Sequence, residues 1–335
     1  MKIACTRNIV KNYWDYYLLK WGFKDRVRLS LHTIPDNYPL DLDRKVLSDD
    51  RDFLKTLFML IKRSRLEYHK LTGKFIVHSA DGNVKKELVG GITSIETFEK
   101  AVDVFDKIED HDGDLFKVKI KGAKFLIRKK IPSDVYVLRE NFLEDQYAFI
   151  YPYVSGADVV DIGANIGDTA VLFCRHGARR VYAYEPHPFF FDLAARNIDL
   201  NGFKNMVAMN MCGVGGKEFV FEMRDDSAFG PTGCFGLKDD GQGKKSEIKV
   251  IPFSKIIEGL GDDTVVKMDC EGFEFEAVLT CPAQMLKKVA AMAIEFHRDP
   301  APIVGHLKSA GFDVDIKSEV VSKYDRCGIL FAKRR

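Results

Sequence analysis

Residues 159–169 read VVDIGANIGDT, the most informative segment of the sequence. A short apolar run ends in an acid, Asp161, which is followed by the pattern G-x-x-x-G and by the start of a helical segment. Gly163 and Gly167 let the backbone turn tightly and approach a ligand where a side chain would clash. The segment therefore predicts a buried strand, a ligand-binding turn and a helix in succession.

From residue 156 onward, short apolar runs alternate with helical patterns. The runs predict strands at residues 158–162, 181–184, 206–211, 264–268 and 290–296. Helical patterns lie between them, for example at 168–176 and 188–200. Because strands that alternate with helices pair in parallel, the sequence predicts an α/β fold with a mostly parallel sheet wrapped by helices.

Two regions depart from this alternation. Residues 312–316 and 328–332 are apolar runs joined by a short connection, which predicts a terminal antiparallel pair. Residues 217–222 and 247–251 predict a side hairpin. The polar, glycine-rich residues 224–246 between its strands predict a long loop of the kind that forms lids or binds substrates.

The N-terminal residues 1–112 carry no motif that points to chemistry. Helical spacing at residues 50–70 and an aromatic-rich start at residues 13–21 favour packing elements. We interpret residues 1–112 as an α/β accessory domain of unknown role, or as the dimerisation domain of a homodimer. Residues 113–335 form the second predicted domain, and a length of 335 residues fits two such domains.

The overall composition limits the classes of partner. The formal net charge is +2, from 51 Lys and Arg against 49 Asp and Glu, which requires no polyanionic partner. No apolar stretch approaches the ~20 residues that span a bilayer, and the first residues lack the pattern of a signal peptide. The seven cysteines are scattered without a paired spacing, so we expect reduced thiols, no membrane partner and a cytoplasmic location.

Glu185 ends the strand that follows the glycine loop, 24 residues after Asp161. A carboxylate at this offset is placed to hold the two hydroxyls of a ribose. The loop lacks the G-x-G-x-x-G pattern of a dinucleotide site and the Gly-Lys-Ser/Thr ending of a triphosphate site. Asp161 and Asp168 flank the glycines, and such acids repel a pyrophosphate but suit a cationic ligand with an amino group. S-adenosylmethionine fits that description, and we predict it as the cofactor.

A second cluster follows another predicted strand and reads KMDCEGFEFE at residues 267–276. Its acids could simply complement the dipole at a solvated helix start. The alternative, which we favour, is a site at the same edge of the sheet as the glycine loop, because Lys267 and Asp269 would alternate on a strand that is otherwise buried. Glu295 and His297 follow a further strand and are expected at that edge too. The candidate catalytic residues are Asp269, Glu271, His297, Lys267 and Glu295.

The combination of VVDIGANIGDTA, YEPHP, NIDLNG and KMDCEGFE resembles the FkbM family of S-adenosylmethionine-dependent methyltransferases, over roughly residues 113–335. The resemblance implies a class I, Rossmann-like methyltransferase fold whose seven-stranded, mostly parallel sheet has a terminal antiparallel strand. It also implies O-methylation of a hydroxyl on a sugar or another small molecule. The cofactor-binding residues that it suggests are Asp161, Gly163, Ala164, Asn165, Gly167, Asp168, Thr169, Glu185, Pro186, Asn210, Cys212 and Asp269.

Methyl transfer to a hydroxyl needs a nearby base, for which Asp269, Glu271 and His297 are the candidates, with Lys267 and Glu295 orienting the substrate or the base. We predict no resident metal, although the acids leave a metal-assisted variant open. Residues 185–188 and 197–202 also resemble archaeal-type tRNA guanosine methyltransferases, so an RNA substrate is the first alternative. The second is a methyltransferase-like module that binds the cofactor or a partner without turnover.

Overall fold

The computed structural model describes residues 26–29, 40–43, 56–57, 59–60, 63, 65–69, 74–89, 94–225, 244–321 and 326–335. The predictions for residues 13–21 and for most of the 224–246 loop lie outside these residues. The chain divides into two compact units, residues 1–119 with 127–135, and residues 120–126 with 136–335. The predicted domain boundary at residue 112 stays a prediction.

In its described residues, the first unit has helical residues at 56–57 and 59–60 and consists mainly of antiparallel strands, with a helix at Ile95–Ala101. These elements are β1 (Arg26–Leu29), β2 (Leu40–Asp43), β3 (Leu66–His69), β4 (Lys74–His78), β5 (Lys85–Glu87), α1 (Ile95–Ala101), β6 (Lys107–Asp110), β7 (Leu115–Ile120) and β8 (Ala123–Arg128), the last of which continues into the second unit. The helical prediction for residues 50–70 agrees with the helical residues 56–57 and 59–60 and is wrong at Leu66–His69, which form a strand.

The core of the first unit is aromatic. Phe98 of α1 and Phe116 of β7 are both fully buried, and their rings meet edge to face at 6.0 Å. Arg128 and Asp134 form a buried ion pair at 2.5 Å. These contacts are typical of a packed core, and the accessory or dimerisation role of this unit stays a prediction.

The second unit alternates helices and strands, as predicted. Its elements are α2 (Ser133–Phe142, whose first turn lies in the first unit), a 3₁₀ turn (Ala148–Ile150), α3 (Tyr151–Val154), β9 (Asp158–Ile162), α4 (Asp168–Arg175), β10 (Arg180–Tyr184), α5 (Pro188–Leu200), β11 (Val207–Asn210), β12 (Gly213–Gly215), β13 (Phe219–Asp225), β14 (Lys244–Pro252), α6 (Phe253–Glu258), β15 (Thr264–Met268), α7 (Glu274–Leu279), α8 (Ala283–Leu286), β16 (Val289–Phe296), α9 (Ala301–Ser309), β17 (Phe312–Val321) and β18 (Arg326–Arg334).

Seven of these strands form one sheet in the order β11-β10-β9-β15-β16-β18-β17. The first five are mutually parallel, and β18 runs antiparallel to both β16 and β17. The prediction of a class I methyltransferase fold with a terminal antiparallel strand is therefore confirmed. The predicted side hairpin is confirmed as well, because β13 pairs antiparallel with β14 in a separate small sheet.

The central strands are buried on both faces, which is why they are continuous apolar runs. All five residues of β15 are buried, including Lys267. The strand order reverses between β9 and β15, and ligands of open α/β sheets bind at such a reversal, outside the carboxyl ends of the strands. In the described part of the chain, no helix has the length and hydropathy needed to cross a membrane.

Candidate active site

The glycine loop after β9 is held in a conformation that glycine favours. Gly163 and Gly167 have φ values of +74° and +81°, and Asn165 between them has +46°. A Cβ atom on Gly163 would lie 1.7 Å from the backbone carbonyl oxygen of Asp269. The amides of Gly163 and Ala164 both donate to the carbonyl of Tyr184, at 2.9 and 3.0 Å. The loop therefore packs directly against the ends of both neighbouring strands, which no larger residue at position 163 would allow.

Asp161 and Thr169 connect the strand before the loop with the helix after it. The hydroxyl of Thr169 donates to Asp161 Oδ2 at 2.7 Å, and both side chains are buried. Burial raises the pKa of Asp161, against the opposing effect of the Lys267 charge and the Thr169 hydrogen bond. Asp161 thus fixes the start of α4 and places a carboxylate oxygen beneath the loop.

Glu185 directly follows β10 and is buried, and its role in holding a ribose stays a prediction. Its Oε2 accepts from the amide of Asn165 and its Oε1 from the amide of His187, both at 2.9 Å. Burial raises the pKa of this carboxyl to about 7. Each carboxylate oxygen has a second lone pair, so the group can still accept from a ligand hydroxyl. The two amides hold the carboxylate at the edge between β9 and β10.

Three further predicted cofactor residues follow β10 and β11. Asn210 ends β11, and its carbonyl accepts from the amide of Glu185 at 3.1 Å. Pro186 and Cys212 are half-buried, and burial raises the pKa of the Cys212 thiol. These residues lie next to Glu185 at the same edge, on the side away from β15, which is the position expected for the base of the nucleoside.

Lys267 is buried, with a side chain 3% exposed. Its ammonium donates to the carbonyl of Gly163 at 2.7 Å and lies 3.5 Å from Asp161 and 4.0 Å from Asp269. Burial alone would lower its pKa, but the charges of Asp161 and Asp269 outweigh burial and raise it. Lys267 therefore holds the glycine loop against β15 as a charged ammonium, and the expectation that it orients a substrate stays a prediction.

His297 follows β16 and is oriented by a carboxylate that we did not select from the sequence. Its backbone amide and its Nδ1 lie 3.1 and 3.3 Å from Oε1 of Glu274, whose side chain is fully buried. Its Nε2 lies 3.5 Å from Glu271 Oε2. Burial would lower the pKa of His297, but the hydrogen bond and charge of Glu274, with Asp269 and Glu271, outweigh burial and raise it.

The remaining candidates surround this histidine. Glu271 has a positive φ of +52° at the start of the turn into α7, and its side chain is 20% exposed. Asp269 is 29% exposed. Burial, followed by the charge of Asp269, raises the pKa of Glu295. The structure thus brings all five predicted catalytic residues to the carboxyl edge of the large sheet. Asp269, Glu271 and His297 are partly exposed there, and Lys267 is buried beneath them.

Residues 161–314 match the model of the methyltransferase FkbM domain. This segment is an FkbM methyltransferase domain. The chain is therefore a methyltransferase that takes its methyl group from S-adenosylmethionine. The comparison with curated proteins gives no match.

Solved structures that resemble the chain are also methyltransferases or transferases. One is magnesium protoporphyrin IX methyltransferase from Synechocystis PCC 6803 with bound SAM, at 13% identity and a TM-score of 0.39, covering 61% of this chain and 83% of that one. Another is the tRNA m1G37 methyltransferase of M. jannaschii, at 15% identity and a TM-score of 0.38, covering 67% of this chain and 58% of that one. The chain thus spans little more than half of the tRNA enzyme. These likenesses do not indicate what it methylates.

The side chains around the glycine loop fit S-adenosylmethionine. Buried side-chain oxygens of Asn141, Asn165 and Asp269 have no hydrogen-bond partner, and Oδ1 of Asp161 has only the Lys267 ammonium at 3.5 Å. All four oxygens are acceptors, so they suit a ligand with N–H or O–H donors. The ammonium and ribose hydroxyls of S-adenosylmethionine supply such donors, and its positive charges suit the surrounding acids.

Two residues of this site were missed from the sequence. Glu274 stands in the motif at residues 267–276, where its place at a helix start made it look like a complement to the helix dipole. Asn141 lies near the end of α2, and its amide nitrogen donates to Asp168 Oδ2 at 2.5 Å. No local pattern in the sequence around residue 141 indicates that this side chain reaches the loop.

The FkbM site also contains a group of side chains that could hold a cation. One ligand atom each of Asp269, Glu271 and His297 lies within 4.8 Å of the other two. Two carboxylates and an imidazole suit several divalent metals. The same three groups are the candidate bases, so the site allows either role.

Proposed function

We propose that the FkbM domain transfers the methyl group of S-adenosylmethionine to a hydroxyl of a small molecule or sugar. The observation that supports this proposal is the position of Asp269, Glu271 and His297, which are partly exposed at the same sheet edge as the glycine loop. A hydroxyl must lose its proton on methylation, and the carboxylates of Asp269 and Glu271 can accept it. Against the effect of burial, Glu274, Asp269 and Glu271 raise the pKa of His297 to about 9, so His297 can accept the proton only at a pH where its imidazole is neutral.

The cofactor supplies an electrophilic methyl group, so the chain has to place the acceptor and remove one proton. Placement contributes roughly 7–11 kcal/mol in well-oriented reactions, and a positioned base contributes a further factor of about 10²–10⁴. Glu274 fixes the His297 ring through Nδ1, which leaves Nε2 on the side of Glu271. Lys267 and Glu295 lie below this group, where they set its charge and orientation.

Three conservative variants test which group is the base: Asp269→Asn, Glu271→Gln and His297→Gln. The assay measures release of S-adenosylhomocysteine with a panel of sugars, glycosides and phenols, and calorimetry measures binding of S-adenosylhomocysteine. Loss of the base should slow turnover at least about 100-fold while cofactor affinity changes little. Asp262→Asn is the matched control, since this exposed acid precedes the opposite end of β15.

Unchanged turnover in all three variants would show that the base is elsewhere. Two further arms separate the alternatives. Turnover that stops with EDTA and returns with Mg²⁺ or Mn²⁺ would assign the three residues to a metal-assisted reaction. Methyl incorporation into bulk tRNA, with none into small acceptors, would replace the small-molecule proposal with an RNA substrate. Such binding should weaken steeply with salt.

A further inference from the structure

Asn141 is a buried residue whose side-chain amide has a hydrogen-bond partner at its nitrogen but none at its oxygen. Its side chain is 6% exposed, and Nδ2 donates to Asp168 Oδ2 at 2.5 Å. Burial raises the pKa of Asp168 to about 7, and above that pH its carboxylate offers only acceptors, so the end of the amide that faces Asp168 is then the nitrogen. The other end, Oδ1, is buried without a partner. A buried acceptor in this state is costly in a folded protein, which indicates that a ligand supplies the missing donor.

The charges around Asn141 specify the kind of donor. Asp168 begins α4 directly after Gly167, and Asp161 lies at the end of β9, so both acids border the same loop. Lys267 is the buried ammonium whose charge acts on Asp161, Asp168 and Asp269. Three acids face one ammonium: Oδ1 of Asp161 lies 3.5 Å from Lys267 Nζ, whereas Oδ1 of Asp269 has no hydrogen bond. Burial raises the pKa of Asp161 and raises that of Asp168 to about 7, so a cation bound beside them would favour their ionised forms. The missing group is therefore a cation with N–H donors.

Only one group of S-adenosylmethionine meets both requirements. The sulfonium is cationic but has no N–H donor, and the carboxylate would be repelled by the acids. The ribose hydroxyls belong with Glu185, which follows β10 on the other side of the loop from Asp161 and Asp168. The α-ammonium group is both a cation and a donor of three hydrogen bonds.

We propose that Asn141 is a cofactor-binding residue whose Oδ1 accepts a hydrogen bond from the α-ammonium group of S-adenosylmethionine, with Asp168 holding the amide in place. This inference does not depend on the acceptor. In this proposal α2, which precedes the matched domain at residues 161–314, contributes a residue that binds the methionine end of the cofactor.

Binding measurements test the proposal without turnover. Calorimetry compares S-adenosylhomocysteine with its deaminated analogue, in which hydrogen replaces the amino group, for the wild type and for Asn141→Leu, which keeps the shape but removes the acceptor. We expect Asn141→Leu to weaken S-adenosylhomocysteine by about 10- to 100-fold, the range for a hydrogen bond to a charged group. The analogue should bind both proteins equally, because it cannot make the bond.

Equal losses for the two ligands, or no loss for either, would overturn the assignment. Asn141→Ala is a second variant in case leucine disturbs folding, and binding of the analogue reports directly that the site is intact. Glu185→Gln is the matched control, since loss of a ribose contact should weaken both ligands alike. Failure of the hydroxyl-methylation proposal would leave these binding results untouched, so the two are distinguishable.

Discussion

Replacement of Gly163 by alanine should force apart the two strand ends that form the cofactor site. The new Cβ would lie 1.7 Å from the Asp269 carbonyl oxygen, whereas real Cβ atoms essentially never approach closer than 3.0 Å. The loop and Asp269 must therefore separate by the difference, at least 1.3 Å. The amide of Asp269 donates to the Ile162 carbonyl at 3.0 Å, and Lys267 donates to the Gly163 carbonyl at 2.7 Å. Both bonds cross the junction that would open.

The expected effect has two parts. The left-handed conformation, with φ at +74°, costs an alanine about 1–2 kcal/mol. A displacement of about 1 Å in an active site lowers turnover about 100-fold. We therefore expect Gly163→Ala to unfold at lower urea concentration, and to lose affinity for S-adenosylhomocysteine in calorimetry and turnover in the methyl-transfer assay.

Gly156→Ala is the matched control for this prediction. Gly156 has φ at +76°, nearly the value of Gly163, but a Cβ atom there would meet nothing within 4 Å. It should show the same loss of stability from strain and bind S-adenosylhomocysteine like the wild type. If Gly163→Ala also binds with wild-type affinity, the close approach of loop and Asp269 does not matter for the cofactor, and the reasoning is refuted.

Two further predictions concern charge and burial in the same unit. Burial raises the pKa of Glu185 to about 7, so its carboxylate becomes protonated as the pH falls below 7. Affinity for S-adenosylhomocysteine should then fall toward pH 6 and level off above pH 8. In Glu185→Gln the affinity should depend less steeply on pH. A calorimetric pH series in which the wild-type affinity does not change would contradict this prediction. Asn197 is fully buried and bonds the amide of Leu126 at 2.7 Å and the carbonyl of Ile166 at 2.9 Å. Asn197→Ala should lower the free energy of unfolding in urea by about 2–5 kcal/mol. Asn201 is more exposed and makes the same kind of contact with the backbone of Lys124, so Asn201→Ala should lower it by well under half of that amount.

The strands of the large sheet could be predicted because burial on both faces makes each a short apolar run. β9 and β15 were bounded correctly, at residues 158–162 and 264–268. The ends of β17 and β18 extend beyond their predictions, to Val321 and Arg334, where side chains are exposed and the apolar signal fades. In the first unit, the helical spacing at residues 50–70 agrees with the helical residues 56–57 and 59–60. It fails at Leu66–His69, since antiparallel pairing with Lys74–His78 overrides the local pattern.

The contacts of the site could be predicted only in part. Motif spacing placed Asp161 and Glu185 at strand ends, since the strand and the turn are local. The role of Lys267 depends on its register opposite Asp161, 106 residues earlier, which no local pattern contains. The bond between Asn141 and Asp168 likewise depends on how α2 packs on the loop. The contact of Glu274 with His297 likewise depends on the position of β16 beside α7.

The strand order explains why acids distant in sequence share one crevice. β9 lies between β10 and β15, so the chain leaves β9 toward one side and returns to the sheet on the other. The loops after β9 and β15 meet at Gly163 and Asp269, and ligands of open α/β sheets bind outside this edge, at the carboxyl ends of the strands. A buried lysine in register with Asp161 can neutralise one of the acids there, but Asp168 and Asp269 remain. Because a buried charge without a partner is costly, burial raises the pKa of Asp168 to about 7. A positively charged methyl donor bound beside Asp168 would stabilise the ionised carboxylate instead.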